Sequence, residues 1–134
     1  MTGGLSSTSE LRIAIVDDEE QIRVALRRFC SALGMHVSTY ASGRGLIADL
    51  DESGCVVDCL LLDAHMPDMT GLEIIQELAR RAVRFPTIIY SADDAPEAID
   101  RYVEAGAVAY LRKPALADAI VDAITRAVGS LNPR

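Results

Sequence analysis

The chain has no run approaching the ~18 uninterrupted apolar residues that a membrane span requires, although half of its 134 residues are hydrophobic. Its first ten residues, MTGGLSSTSE, lack the apolar core of a signal peptide. Both absences point to the cytoplasm and away from a membrane partner. Positive charge is scarce as well: 13 Lys and Arg stand against 20 Asp and Glu, a formal net charge of -7. That balance disfavours direct nucleic-acid binding and anionic lipid surfaces, and leaves proteins or cations as partners. Cysteine is sparse and unpatterned. Cys30, Cys55 and Cys59 are odd in number and show no CxxC or Cys/His spacing, so neither a disulfide framework nor a zinc site is indicated.

What is present fits a single domain. Residues 1–10 are small, polar and aperiodic and read as a disordered leader, residues 11–129 as the domain, and residues 130–134 as a C-terminal tail or the start of a linker. Ile13 to Val16, Val37 to Tyr40, Cys59 to Leu62, Thr87 to Tyr90 and Val108 to Leu111 are strand-like apolar runs. Helical stripes lie between them. Ile22, Ala25, Leu26, Phe29, Cys30 and Leu33 mark the first, and Leu72, Ile75, Leu78 and Ala79 follow Gly71. Leu116, Ile120, Ile124, Ala127 and Val128 lead toward Gly129. The segments after Ser42, with Gly43 and Gly45, and from Pro96 to Gly106, with only Ile99, Tyr102 and Val103 as a stripe, predict less firmly held helices.

Strict alternation of strand and helix implies a doubly wound α/β fold, a five-stranded parallel sheet with helices on both faces. Strand 2 mixes polar with apolar residues and belongs at an edge, which suggests the flavodoxin-like order 2-1-3-4-5. Ligands of such sheets bind at the carboxyl ends of the strands beside the switch point between strands 1 and 3. Asp17-Asp18, Asp63, Ser91 and Lys113-Pro114 stand at those ends.

Three carboxylates converging there at ~5 Å and an effective dielectric of ~20 repel by roughly 3 kcal/mol per pair. The sum rivals the stability of a whole domain. Such a cluster must protonate, meet opposite charge or bind a cation, and all-oxygen ligands suit Mg²⁺ over zinc. A simpler reading of Asp17-Asp18 alone is capping of the next helix. With Asp63, Ser91 and Lys113 on the same rim, a receptor for a phosphoryl group is the stronger reading. A nucleotide or flavin phosphate would want a Gly-rich or Ser/Thr-rich turn after strand 1, where Asp17-Asp18-Glu19-Glu20 stands instead.

IAIVDDEE, LLLDAHMPDMTGLE, IIYSA and AYLRKP occur in that order, and through them the sequence resembles the receiver domain of two-component response regulators over residues 11 to about 128. The resemblance implies that Asp63 accepts a phosphoryl group from a sensor histidine kinase or a phosphotransfer protein. It implies Mg²⁺ touched directly by Asp18, largely through water by Asp17, and further by Asp63 and the backbone carbonyl of His65. Ser91 and Lys113 would bind phosphoryl oxygens, Ser91 and Tyr110 would form the switch, and Lys113-Pro114 would be a cis peptide. The resemblance also implies a domain that promotes its own phosphorylation and dephosphorylation, with a homodimer or effector reading the surface of helix 4, strand 5 and helix 5.

Two other readings compete. A Mg²⁺-dependent phosphohydrolase would carry a second acid two residues after its nucleophile, where His65 stands here, and a cap region. A binding module that is never phosphorylated would be expected to lack one of the five site residues. Two outputs remain open: a stand-alone receiver that docks to a protein, or a receiver joined to an effector such as a DNA-binding domain. Arg80, Arg81 and Arg84, near the end of helix 3, are explained by the helix dipole and solvation.

Overall fold

The computed structural model describes residues 11–54 and 57–131. The expected leader at 1–10, Cys55, and positions 132–134 of the expected tail lie outside the described residues. In chain order the elements are β1 (Arg12–Val16), α1 (Glu20–Ala32), β2 (His36–Tyr40), α2 (Gly43–Ser53) and β3 (Cys59–Asp63). They continue with α3 (Gly71–Arg80), β4 (Thr87–Ser91), α4 (Pro96–Glu104), β5 (Ala109–Arg112) and α5 (Ala117–Leu131). All strand pairings are parallel and the order is β2-β1-β3-β4-β5, as the pattern predicts. No helix among the described residues is long and apolar enough to cross a membrane.

Successive residues of a strand face opposite sides, and here both sides are apolar. Ile13, Ile15, Leu61, Ile88 and Tyr90 pack with Leu26 and Cys30 of α1 and with Ile120, Ile124 and Ala127 of α5. Ala14, Val16, Leu60, Leu62 and Ile89 pack on the other side with Leu46 of α2, Ile74 and Leu78 of α3, and Tyr102 of α4. Each large aliphatic side chain so buried stabilises by roughly 1.5–3 kcal/mol. The two cores hold the inner strands in fixed register, and β1, β3 and β4 end together on one rim.

Several sequence expectations need adjustment. Ala25 and Leu33 lie outside the α1 core face: Ala25 is exposed, and Leu33 occupies the C-cap position. β5 begins at Ala109, with Val108 left 48 % exposed. Leu116 is not part of the α5 stripe. Its carbonyl accepts the amides of Ala119 and Ile120, as a residue just outside a helix does, and its side chain is 79 % exposed. α5 then continues through Gly129 to Leu131. Arg80 and Arg81 pair with Glu77, and Arg81 also reaches Asp51 at 2.9 Å, so ion pairs as well as the helix dipole account for them.

In keeping with its short stripe, α4 buries a single residue, Tyr102. Val103 is 55 % exposed, but Tyr102 is buried, and its hydroxyl lies 3.4 Å from the carbonyl oxygen of Ala64, the residue after β3. Gly71 makes room for that ring. A Cβ at position 71 would lie 2.9 Å from the Tyr102 hydroxyl oxygen and 3.3 Å from the Ala64 Cα. The α3 start is otherwise secured by a capping box between Thr70 and Glu73. Gly71→Ala is therefore expected to destabilise the domain by about 1–3 kcal/mol in urea unfolding, as overpacking does. Adding Tyr102→Phe, which removes the nearest atom, should recover part of the loss; strict additivity of the two changes would refute the steric account.

Candidate functional site

The rim is assembled from strand ends. Asp17 follows β1, and its amide donates to the carbonyl of Tyr40, so β2 fixes its backbone. Asp63 and Ser91 are the last residues of β3 and β4. Lys113 follows β5, with its amide donating to the carbonyl of Ser91 at 2.8 Å. The Lys113-Pro114 bond is cis. Asp17, Asp63 and Ser91 are buried, and Asp18 is exposed.

Asp17, Asp18 and Asp63 can each offer a carboxylate oxygen such that all lie within 4.8 Å of one another. The Asp17-Asp18 pair is not explained by capping. The N-cap of α1 is Glu19, which makes no side-chain cap bond, and Asp17 Oδ1 instead accepts the Glu19 amide at 2.9 Å. Arg23 of α1 donates to the Asp17 carbonyl at 2.8 Å, a second tie on the same residue. The donor set is entirely oxygen, which matches a hard divalent cation that keeps several waters. These three residues could hold a metal.

Lys113 is the protein's own counter-charge. Its Nζ lies 3.0 Å from Asp17 Oδ2, 3.6 Å from Asp63 Oδ2 and 3.7 Å from Glu19 Oε1, with the side chain 15 % exposed. Burial favours its neutral form, but the hydrogen bond to Asp17 and the charges of Asp63, Asp17 and Glu19 outweigh this and raise its pKa. Asp63 moves the same way for a different reason. Burial drives its pKa above the ordinary value, and the Asp17 and Asp18 charges add to this, against the His65 amide bond and the Lys113 charge.

The β4–α4 loop carries the remaining polar groups. Ser91 Oγ accepts the Asp93 amide at 3.1 Å, and Asp93 Oδ1 accepts the Ala95 amide at 3.0 Å. The Tyr110 hydroxyl donates to the Asp93 carbonyl at 2.6 Å, with the ring half-buried and 6.0 Å from that of Tyr102. The His65 amide donates to Asp63 Oδ1 at 3.2 Å, while its exposed imidazole lies 3.8 Å from Asp93. The imidazole thus faces the loop acid. Asp17, Asp18, Asp63 and Lys113 are brought together; Ser91 and Tyr110 are joined through Asp93.

Sequence reasoning missed Asp93, Glu19, Tyr90 and the anchoring role of Tyr102. Asp93 had a weak local signal, a Ser-x-Asp pattern suited to a side-chain turn. Glu19 had another, as the acid following the pair. Nothing local marks Tyr90, whose ring lies 5.2 Å from Lys113 Nζ, or the hydroxyl contact of Tyr102 across 38 residues.

A family model for the response regulator receiver domain matches residues 13–125. The chain is 32% identical over 117 residues to the response regulator protein TmoT of Ectopseudomonas mendocina, a match covering 87% of this chain and 52% of that protein. It is 34% identical over 115 residues to the DNA-binding transcriptional regulator NtrC of Salmonella typhimurium, covering 85% of this chain and 24% of the relative. This chain thus spans about half the length of TmoT and less of NtrC. Among solved structures, the crystal structure of FixJ-N superposes with a TM-score of 0.80 at 29% identity, covering 88% of this chain and 93% of that one.

The direction of the Asp63 shift has a consequence for stability. Below the ordinary aspartate value of 3.8, Asp63 is protonated in folded and unfolded chains alike. As pH rises through the elevated folded value, the unfolded chain ionises more readily, and stability is lost. Without metal, Asp63→Asn should raise the thermal midpoint at neutral pH by a few degrees. The gain should vanish toward pH 3; equal midpoints at neutral pH would show that this charge is not destabilising.

Proposed function

This chain belongs to the response regulator receiver domain family, a component of two-component signalling, and we propose that Asp63 is its phosphoacceptor. The observation that carries the proposal is the setting of one buried carboxylate. Asp63 holds the His65 amide on one oxygen, faces the Lys113 ammonium with the other, and shares its rim with Asp17 and Asp18. The donor is a sensor histidine kinase or a phosphotransfer protein. A carboxylate oxygen of Asp63 bonds to phosphorus as the bond from phosphorus to the donor nitrogen breaks, and the electron pair leaves with that nitrogen.

Asp17, Asp18, Asp63 and the carbonyl of His65 would hold Mg²⁺, which supplies positive charge against the phosphoryl oxygens. The protein's own groups do the rest. Lys113 lies between Asp17 and Asp63 and can carry its ammonium onto a phosphoryl oxygen without leaving the rim. Ser91 Oγ accepts the Asp93 amide, which leaves its proton free to donate to another phosphoryl oxygen. The domain thereby promotes its own phosphorylation and, with water as acceptor, its dephosphorylation. A phosphohydrolase acting on separate substrates is less well supported, because the position two residues past Asp63 is an exposed histidine turned to Asp93.

Release of the signal follows from the Ser91–Asp93–Tyr110 chain of contacts. Drawing Ser91 toward a phosphoryl oxygen loosens the Asp93 amide, and with it the carbonyl that holds the Tyr110 hydroxyl. The surface of α4, β5 and α5 then changes for a second copy of the chain or an effector to read. The shift can be no larger than the differential affinity of the phosphoryl group for the two arrangements. We place this activity in the cytoplasm, with output by docking to a protein or through a joined effector. The acidic chain itself does not bind DNA directly.

Acetyl phosphate with Mg²⁺ is expected to add one phosphoryl group, read by intact mass, and Asp63→Asn to abolish it. Modification that persists in Asp63→Asn, or maps to His65, refutes the assignment. Mg²⁺ alone should bind weakly and saturably, and Asp18→Ala should eliminate that titration. For the switch, beryllofluoride with Mg²⁺ should shift backbone NMR signals in residues 91–113 beyond the immediate site. Ser91→Ala should weaken the distant shifts while sparing Mg²⁺ binding; shifts that survive it unchanged would rule out the Ser91 route.

A further inference from the structure

We propose that the ring face of Tyr90 is a positioning element for Lys113, holding its ammonium between Asp17 and Asp63 and so setting the rate at which Asp63 takes a phosphoryl group. The inference rests on the phosphoacceptor reading above. Tyr90 sits in β4 opposite Asp63 of β3 and Leu111 of β5, one residue before Ser91. It belongs to the core facing α1 and α5, and it is buried. Lys113 Nζ lies 5.2 Å from its ring centroid, inside the ~6 Å range of a cation–π contact.

The contact answers a specific difficulty. A lysine ammonium is a point charge on a flexible four-carbon stem, with no planar fork to fix its direction. Three carboxylates compete for Lys113, and Glu19, at 3.7 Å, has a side chain 62 % exposed. An ammonium that followed Glu19 outward would leave the rim where phosphoryl oxygens arrive. The Tyr90 face offers attraction on the protein side, and the Lys113 side chain is largely shielded from water, the condition under which a cation–π contact is strongest. Packing by itself would be met by an aliphatic side chain at position 90. The attraction of a ring face for a cation would not.

Three substitutions separate these roles: Tyr90→Phe keeps the ring, while Tyr90→Leu and Tyr90→Met fill the space without it. Thermal melting checks that each is folded, and the flexible methionine fills the site if leucine leaves too large a gap. In the metal-free protein, the ε-methylene protons of Lys113 should show an upfield ring shift in wild type and Tyr90→Phe, lost in the other two. Phosphorylation by acetyl phosphate and Mg²⁺ should run at the wild-type rate in Tyr90→Phe and about three- to tenfold slower in Tyr90→Leu and Tyr90→Met. Mg²⁺ affinity should be the same in all four. Phosphorylation of the Leu and Met variants at the wild-type rate, or equal slowing of Tyr90→Phe, overturns the role of Tyr90 alone. A wild-type chain that takes no phosphoryl group overturns the phosphoacceptor reading with it.

Discussion

Mutual repulsion among three carboxylates is the constraint on which the rest of this structure depends. Two parallel strands separated in sequence by a helix, a strand and another helix end side by side, and each ends in acid. The fold tolerates this because other groups are arranged around it: amides of Glu19 and His65 on two of the oxygens, and the ammonium of Lys113 against Asp17 and Asp63. Burial of Asp63 makes the arrangement tighter, since removal of water weakens the screening that an exposed cluster would enjoy. The cluster can therefore hold positive charge, part of which Lys113 already supplies.

The sheet is what makes such a concentration of polar groups affordable. Apolar residues on both faces hold the strands from Ile13 to Tyr90, and the rim amides of Asp17 and Lys113 add bonds to Tyr40 and Ser91. The loops beyond the strand ends carry the polar groups, while the strands themselves are packed by apolar residues. Asp93, Asp17 and Ser91 all fold their side chains back onto nearby amides, so the loops are ordered locally, by short-range bonds that can be exchanged for others.

The fold was legible in the sequence because the inner strands are short apolar runs, the edge strand β2 is mixed, and α1, α3 and α5 carry clear apolar stripes. The polar residues at the strand ends were legible because they break those runs abruptly. Misreadings arose where period and boundary disagree. Leu116 continues the spacing of Ile120 and Ile124 by four residues, yet it lies just before α5 and faces water. Tyr102 belongs to a weak stripe, but its packing depends on the missing side chain of Gly71 and on the Ala64 carbonyl, which no local pattern reveals. The Tyr90 ring beside Lys113 is likewise a meeting of β4 with the residue after β5, invisible to either segment alone.

Ser91 has a double attachment, to the rim by position and to the loop through the Asp93 amide. If movement of this hydroxyl onto a phosphoryl oxygen disturbs the loop geometry that steadies Tyr110, the two ends of the contact chain share a single equilibrium. Thermodynamic reciprocity then runs backwards as well as forwards. A partner that prefers the released arrangement of α4 and β5 would favour the phosphorylated form at equilibrium by the same factor by which phosphorylation favours the partner. The extent of phosphorylation at equilibrium would then be a property of the complex, set in part by whichever protein reads it.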